Sequence, residues 1–188
     1  MIKQYPAEKK WTLLLLILSF CSFSCENRNP DAVAQAKKLY GKKIKFPKEY
    51  LSVATNEGTT SINTELAKPL KIVTYLDKNS CSECALKILK HWEELLQELS
   101  DYSIGFVPVV YPNDITDLKE TLQVLQIDFP LFYDKENKFL KINKLEKTLA
   151  RNRSFLLSAD NKIIVIGEPL ASGELWQVYK NSMKRLNE

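Results

Sequence analysis

Cys81 and Cys84, held apart by Ser82 and Glu83, carry the chemistry most plainly written in this chain. They stand between an apolar run over 70–76 and a helical pattern over 85–99. Two cysteines three apart at a helix start can close a disulfide, and the unpaired amides of the helix end favour the thiolate that opens one. On this reading Cys81, at the exposed N-terminus, is the nucleophile, and Cys84, one turn in, resolves the mixed disulfide. The helix end favours the Cys81 thiolate by roughly 0.3 to 1 kcal/mol. Glu83 acts in the opposite sense, because a nearby carboxylate raises a thiol pKa. A structural disulfide is the bland alternative. Metal binding is a weaker one, since structural zinc needs about four ligands and His91 is the chain's only histidine. Seven residues after Cys84, it would lie about 10 Å along the helix. It shares its face with Lys87, Glu94 and Glu98, so a solvated histidine is expected and no metal site is assigned.

The elements that must hold the pair follow from periodicity. Residues 71–76 form a β-branched and aromatic run, buried enough for the middle of a sheet. Behind the cysteines, Ala85, Ile88, Leu89, Trp92, Leu95, Leu96 and Leu99 recur at helical steps, which makes Trp92 a core residue. A second strand is expected over 104–111, with Pro108 implying an edge position or a bulge. Asp114 is placed to cap a helix carrying Ile115, Leu118, Leu122 and Leu125. There follow a short strand or extended turn at 130–133, a helix over 139–149, and a hairpin of 154–157 with 163–167. A closing helix presents Leu175, Val178, Tyr179, Ser182 and Leu186. Before residue 70 the signals are weaker: 43–46 and 51–55 suggest an N-terminal hairpin or irregular strands. The order predicts an α/β domain with a central mixed β-sheet and helices on both faces.

A length of 188 residues, 45% hydrophobic and 27% charged, suits one globular domain with a short appendage. Lys3, Lys9 and Lys10 against Glu8 contribute +2 of the net +4, so no nucleic-acid footprint remains. The basic start and the apolar run over 11–23 read as an export signal. Ser22-Phe23-Ser24-Cys25 resembles a bacterial lipobox, which makes Cys25 the candidate for lipidation. Residues 1–24 are then a lipoprotein signal peptide, 25–38 a tether without a fold of its own, and 39–188 the domain. Cys81 and Cys84 would remain as a pair in an oxidising compartment, kept in use by redox partners.

A strand, a Cys-x-x-Cys opening a long helix, a second βα unit, a hairpin and a closing helix together resemble the thioredoxin fold, over 41–186. More narrowly the chain resembles redoxin-type, membrane-tethered thiol-disulfide oxidoreductases. Gly41-Lys42-Lys43-Ile44-Lys45-Phe46-Pro47 is similar to that family's opening segment. Phe129-Pro130-Leu131-Phe132-Tyr133-Asp134 is similar to its mid-domain stretch, and Ser154-Phe155-Leu156-Leu157 with Asp160-Asn161-Lys162-Ile163 to its hairpin. The resemblance implies a lipid-anchored, periplasm-facing protein-disulfide reductase without a cofactor. Its partners would be protein thiol or disulfide substrates and an upstream electron donor. A reducing couple nearer thioredoxin, at about −270 mV, than the oxidants near −120 mV is expected. Arg153, with Arg151, would steer acidic groups of the substrate. Three positions depart from the family. Asn152 and Arg153 stand where a cis-proline is usual, Ser80 replaces an aromatic, and Tyr75 occupies the place of a buried carboxylate six residues before the first cysteine, with Asp77 as a candidate stand-in. The alternative function is a non-catalytic binding module with a structural disulfide.

Overall fold

The computed structural model describes residues 30–47, 51–53, 61–78, 83–145 and 154–187. The chain divides into two compact units, Met1–Val33 and Ala34–Glu188, and apart from the opening of the first helix every element described belongs to the second. In order these are α1 (Pro30–Leu39), β1 (Leu51–Val53), α2 (Ile62–Ala67), β2 (Leu70–Leu76), α3 (Glu83–Gln97), β3 (Ile104–Val110), α4 (Ile115–Val124), β4 (Leu131–Tyr133), α5 (Lys138–Asn143), β5 (Ser154–Leu157), β6 (Ile163–Ile166), a 3₁₀ turn (Pro169–Ala171) and α6 (Gly173–Asn187).

The strands form one mixed sheet in the order β1-β4-β3-β2-β5-β6. β2 is buried along its whole length, Lys71 and Thr74 included. It pairs in parallel with β3, Leu70 opposite Ile104 through Leu76 opposite Val110, and antiparallel with β5, Thr74 opposite Ser154. Alternation along the strands divides the core in two. Leu70, Ile72 and Leu76 meet Leu86, Leu89 and Trp92 of α3, Leu118 and Leu122 of α4, and Trp176, Tyr179 and Met183 of α6. On the other face Val73 and Tyr75 meet Leu39 of α1, Ile62 of α2, and Phe139 and Leu140 of α5. Helices therefore cover both faces, as expected. Trp92, fully buried, packs its ring 5.1 Å from that of Phe106. Asp114 caps α4, accepting from the Thr116 and Asp117 amides at 2.6 and 3.3 Å, and the hairpin turn runs through Asn161 with a φ of 62°.

Four expectations need correction. Pro108 is neither at a sheet edge nor in a bulge: β3 lies inside the sheet and Pro108 stands in register opposite Thr74. It is tolerated because of parity. The Tyr111 amide donates to Leu76 in β2, so odd positions of β3 bond to β2 and even ones face the other way. There β4 pairs only with Val109 and Val110, so the donor that proline lacks would have met no strand. Second, the hairpin expected of 43–46 and 51–55 is not formed by their described residues, which are the irregular strands also expected. Lys43 bridges to Lys162 beside β6, while β1 pairs with β4 at the far edge. Third, from Pro30 the stretch expected to lack a fold of its own is helical: proline is favoured in a first helical turn, where its missing N–H costs nothing, and good helix formers follow it. Fourth, α6 turns Trp176, Tyr179 and Met183 inward and leaves Val178 and Leu186 exposed. The expected helix over 139–149 is seen as α5, which closes at Lys144 in the left-handed region; its remainder lies outside the described residues.

Candidate redox site at the end of the central strand

β2 delivers the chain at Leu76 to the segment that leads into α3, and α3 begins at Glu83. Cys84 therefore occupies the first turn of a helix packed on the sheet directly after its central strand. Cys81, Arg151, Asn152 and Arg153 lie outside the described residues, as does Cys25. His91 is exposed on α3, its Nδ1 4.0 Å from a carboxylate oxygen of Glu94, which is the solvated setting expected for it.

Beneath this end of α3 the sheet is polar at one place. Thr74, fully buried, lies between Ile72 and Leu76 on the strand face that α3 covers. Its hydroxyl is 3.0 Å from that of Ser154, the first residue of β5 and also fully buried. Ser154 donates to Oε2 of Glu168 at 2.7 Å. A serine hydroxyl has one proton, and an ionised carboxylate only accepts. The Ser154 hydroxyl thus stands between two acceptors, and the shorter bond is the one to the carboxylate. Glu168 reaches this place because β6 ends at Ile166 and Gly167 turns the chain, with a φ of 129° and its amide bonded to the Ser154 carbonyl. The half-buried side chain of Glu168 then lies against Tyr179 of α6. Burial first, and the Glu168 charge second, hold the Tyr179 phenol well above its ordinary pKa; its hydroxyl donates to the Gly167 carbonyl at 3.0 Å.

Counting six residues back from Cys81 leads to Tyr75, but Tyr75 faces away from α3. Its hydroxyl donates to Oδ1 of Asn137 at 3.0 Å and its ring stacks on Phe139 at 6.1 Å. The residue beneath α3 is its neighbour Thr74, so among the described residues the polar side chains joined there are Thr74, Ser154 and Glu168, none of which sequence reasoning had singled out. The alternation of β2 against the α3 pattern was the available signal for Thr74. Nothing local marks Glu168. Asp77, the candidate stand-in, is half-buried at the strand's end. Asp134, from the mid-domain stretch, is structural: its carboxylate accepts the amides of Lys138 and Phe139 at 2.7 and 2.9 Å and so starts α5. Asn143 ties down the opening segment, its Oδ1 accepting from the Lys45 amide and its Nδ2 donating to the Lys45 carbonyl, both at 2.8 Å.

A cavity of about 570 Å³ lies elsewhere, toward the C-terminal end of α3 and the start of β3, lined by Leu96, Leu99, Ile104, Phe106 and Phe129 among others. Its position separates it from the first turn of α3.

No protein-family model matches the chain, and no curated protein matches it in sequence. Solved structures do match it. The thioredoxin domain of a thiol-disulfide oxidoreductase from Bacteroides vulgatus is 10% identical with a TM-score of 0.52, over 77% of this chain and 97% of that one. The C-terminal domain of a protein described as a thiol-disulfide oxidoreductase from Bacteroides thetaiotaomicron is 15% identical with a TM-score of 0.54, over 79% and 99%. A protein from Chlorobium tepidum described as the thiol:disulfide interchange protein DsbE is 12% identical with a TM-score of 0.55, over 77% and 97%. At such identities the shared property is the architecture, and by that architecture this chain has the thioredoxin-like fold.

Proposed function

We propose that this protein is a thiol-disulfide oxidoreductase that reduces disulfides of other proteins through Cys81 and Cys84. The observation that carries the reading is positional. The sequence's one Cys-x-x-Cys meets the start of α3 directly after the central strand of a thioredoxin-like sheet. At a helix start unpaired amides stabilise a thiolate. Cys81 attacks a substrate disulfide, forming a mixed disulfide and releasing one substrate thiolate. Cys84 then attacks Cys81, closing the Cys81–Cys84 bond and releasing the second. An upstream dithiol donor restores the pair. Glu83, the first residue of α3, opposes thiolate formation and favours a reducing couple. Lipid on Cys25 would hold the protein at a membrane of the cell envelope, facing the periplasm, and Arg153 would meet acidic substrate groups.

The full chain with Cys84→Ser, expressed in the envelope, is expected to accumulate mixed disulfides through Cys81, and the wild type to reduce insulin. Cys81→Ser is expected to abolish both signals. Absence of adducts together with absence of insulin reduction by the wild type would sink the reading. It would favour instead a binding module that keeps the bridge for rigidity, the role toward which the missing proline at 152 and 153 points.

A further inference from the structure

Apolar side chains gather, exposed, at one edge of the sheet. Tyr40, just after α1, is 69% exposed, and Val178 and Leu186 of α6 are 48% and 52% exposed. Tyr40 and Val178 line one shallow groove of about 350 Å³ together with Ala36, Ile164, Ile166 and Leu175, and β6, the edge strand, runs along it. On α6, Val178, Ser182 and Leu186 follow one another at four-residue steps and so form one stripe. Exposed apolar side chains scattered singly are ordinary, whereas these share one groove and one stripe.

We infer that this face, made of the end of α1, β6 and the outer stripe of α6, rests on the surface of an anionic phospholipid bilayer. The inference deepens the anchoring proposed above and rests on it: a lipid on Cys25 brings a bilayer to the domain, and the face decides how the domain lies on it. Charge selects the occupant. Lys37 and Lys38 stand in the last turn of α1, and Lys184 and Arg185 in the last turn of α6, all four exposed. Lys37 lines the groove itself, and Arg185, seven residues after Val178, shares its side of the helix. Against them each helix has one acidic residue, Asp31 in α1 and Glu174 in α6, both in first turns. The face therefore joins apolar contact to positive charge, which suits anionic headgroups lying over acyl chains. Tyrosine fits the same depth, with an apolar ring and a polar hydroxyl.

Chain length agrees with this occupant. Cys25 comes eleven residues before Ala36. At no more than about 3.6 Å per residue, a lipid there lies within about 40 Å of the groove. A second copy of the chain would also cover the apolar stripe, but a two-fold pairing would bring the same basic residues against one another. A bilayer carries the opposite charge. Docked in this way, the domain keeps one orientation on the membrane instead of turning on its tether.

The test uses the full chain, purified from the envelope and reconstituted into vesicles of phosphatidylcholine with phosphatidylglycerol, or of phosphatidylcholine alone. Each vesicle also contains a phospholipid with a photoreactive diazirine near its headgroup, and the lipid adducts are located by peptide mass. Wild type is expected to carry adducts on the peptides holding Tyr40 and residues 178–186 in the anionic vesicles, and several-fold fewer in the neutral ones. Lys37→Gln and Arg185→Gln are each expected to lower these adducts about fivefold, the usual worth of one basic residue near an anionic surface. Val178→Glu is expected to remove them from the α6 peptide. All three positions are exposed, so the urea midpoint should not move. Adducts on N-terminal residues with none on the face, or equal labelling in both vesicles and in the charge variants, would overturn the face and leave the anchor standing. A Cys25 peptide without acyl mass, in a chain that stays off the vesicles, would overturn the anchor reading and the face with it. A wild-type particle in detergent with twice the mass of Val178→Glu would assign the face to a second copy and overturn the proposal.

Discussion

Glu65 and Glu168 each press a carboxylate against the central strands, one on the β3 side of β2 and one on the β5 side, and the kind of donor each meets separates their roles. Glu65, in α2 and 8% exposed, accepts from the Phe106 amide at 2.8 Å and from the Lys68 ammonium at 3.0 Å. The amide is fixed in the strand, and the ammonium three residues on adds an ion pair within the same turn. Glu65 is therefore a fixed end that closes the side of β3 that β4 leaves bare. Glu168 accepts from a hydroxyl, which can donate and accept at once, and that hydroxyl is itself bonded to another. The same functional group fastens backbone in one place and ends a chain of hydroxyls in the other.

The largest effect that would test this contrast comes from Gly105→Ala. A Cβ at Gly105 would lie 2.0 Å from the Glu65 carbonyl oxygen, which is backbone and cannot swing aside. Loss of more than about 4 kcal/mol in urea unfolding, or failure to fold, is expected. Unchanged stability would mean that α2 is free to shift and that Glu65 is not held as described. Next in size, Glu65→Ala strands the buried Phe106 amide and should cost about 1 to 3 kcal/mol. Urea unfolding reads that loss, and an unchanged midpoint would mean that the Phe106 amide does not depend on Glu65. Smallest at neutral pH is Tyr179→Phe, which removes one hydrogen bond worth about 1 kcal/mol. The folded phenol binds its proton more tightly than the unfolded one. Its stabilisation is thus complete below the ordinary value of 10.0 and lost as pH rises through the raised folded value. Wild-type melting temperature should fall on that alkaline side, and Tyr179→Phe should flatten the fall.

Much of the fold was legible because the main signals are long or sharply punctuated. The run of β2, the apolar positions of α3, the Asp114 cap and the Asn161 turn each act locally. What escaped depends on partners distant in sequence. The six residues of α2 are too few to display a period and are placed by Gly105, some forty positions onward. Asn29-Pro30 reads as an extended or turn segment, whereas the helix that starts at Pro30 is decided by the helix formers after it. Pro108 reads as an edge signal until the short reach of β4 is known. At the site, Cys81 and Cys84 were readable as a motif, whereas Thr74, Ser154 and Glu168 come from three elements that only the antiparallel pairing of β2 with β5 and the Gly167 turn bring together.

The even positions of β3 have a consequence for how this protein avoids its own copies. An interior strand left half bare by a short neighbour is a natural place for a foreign strand to insert, and such insertion begins aggregation and domain swapping. Along that side the Ile104 amide is taken by the Tyr102 carbonyl at 2.9 Å, the Phe106 amide by Glu65, and Pro108 has none to offer. An intruding segment finds no hydrogen to bond along the bare half of the strand. Proline in the middle of a sheet, costly in most proteins, thus serves here as a guard against misassembly.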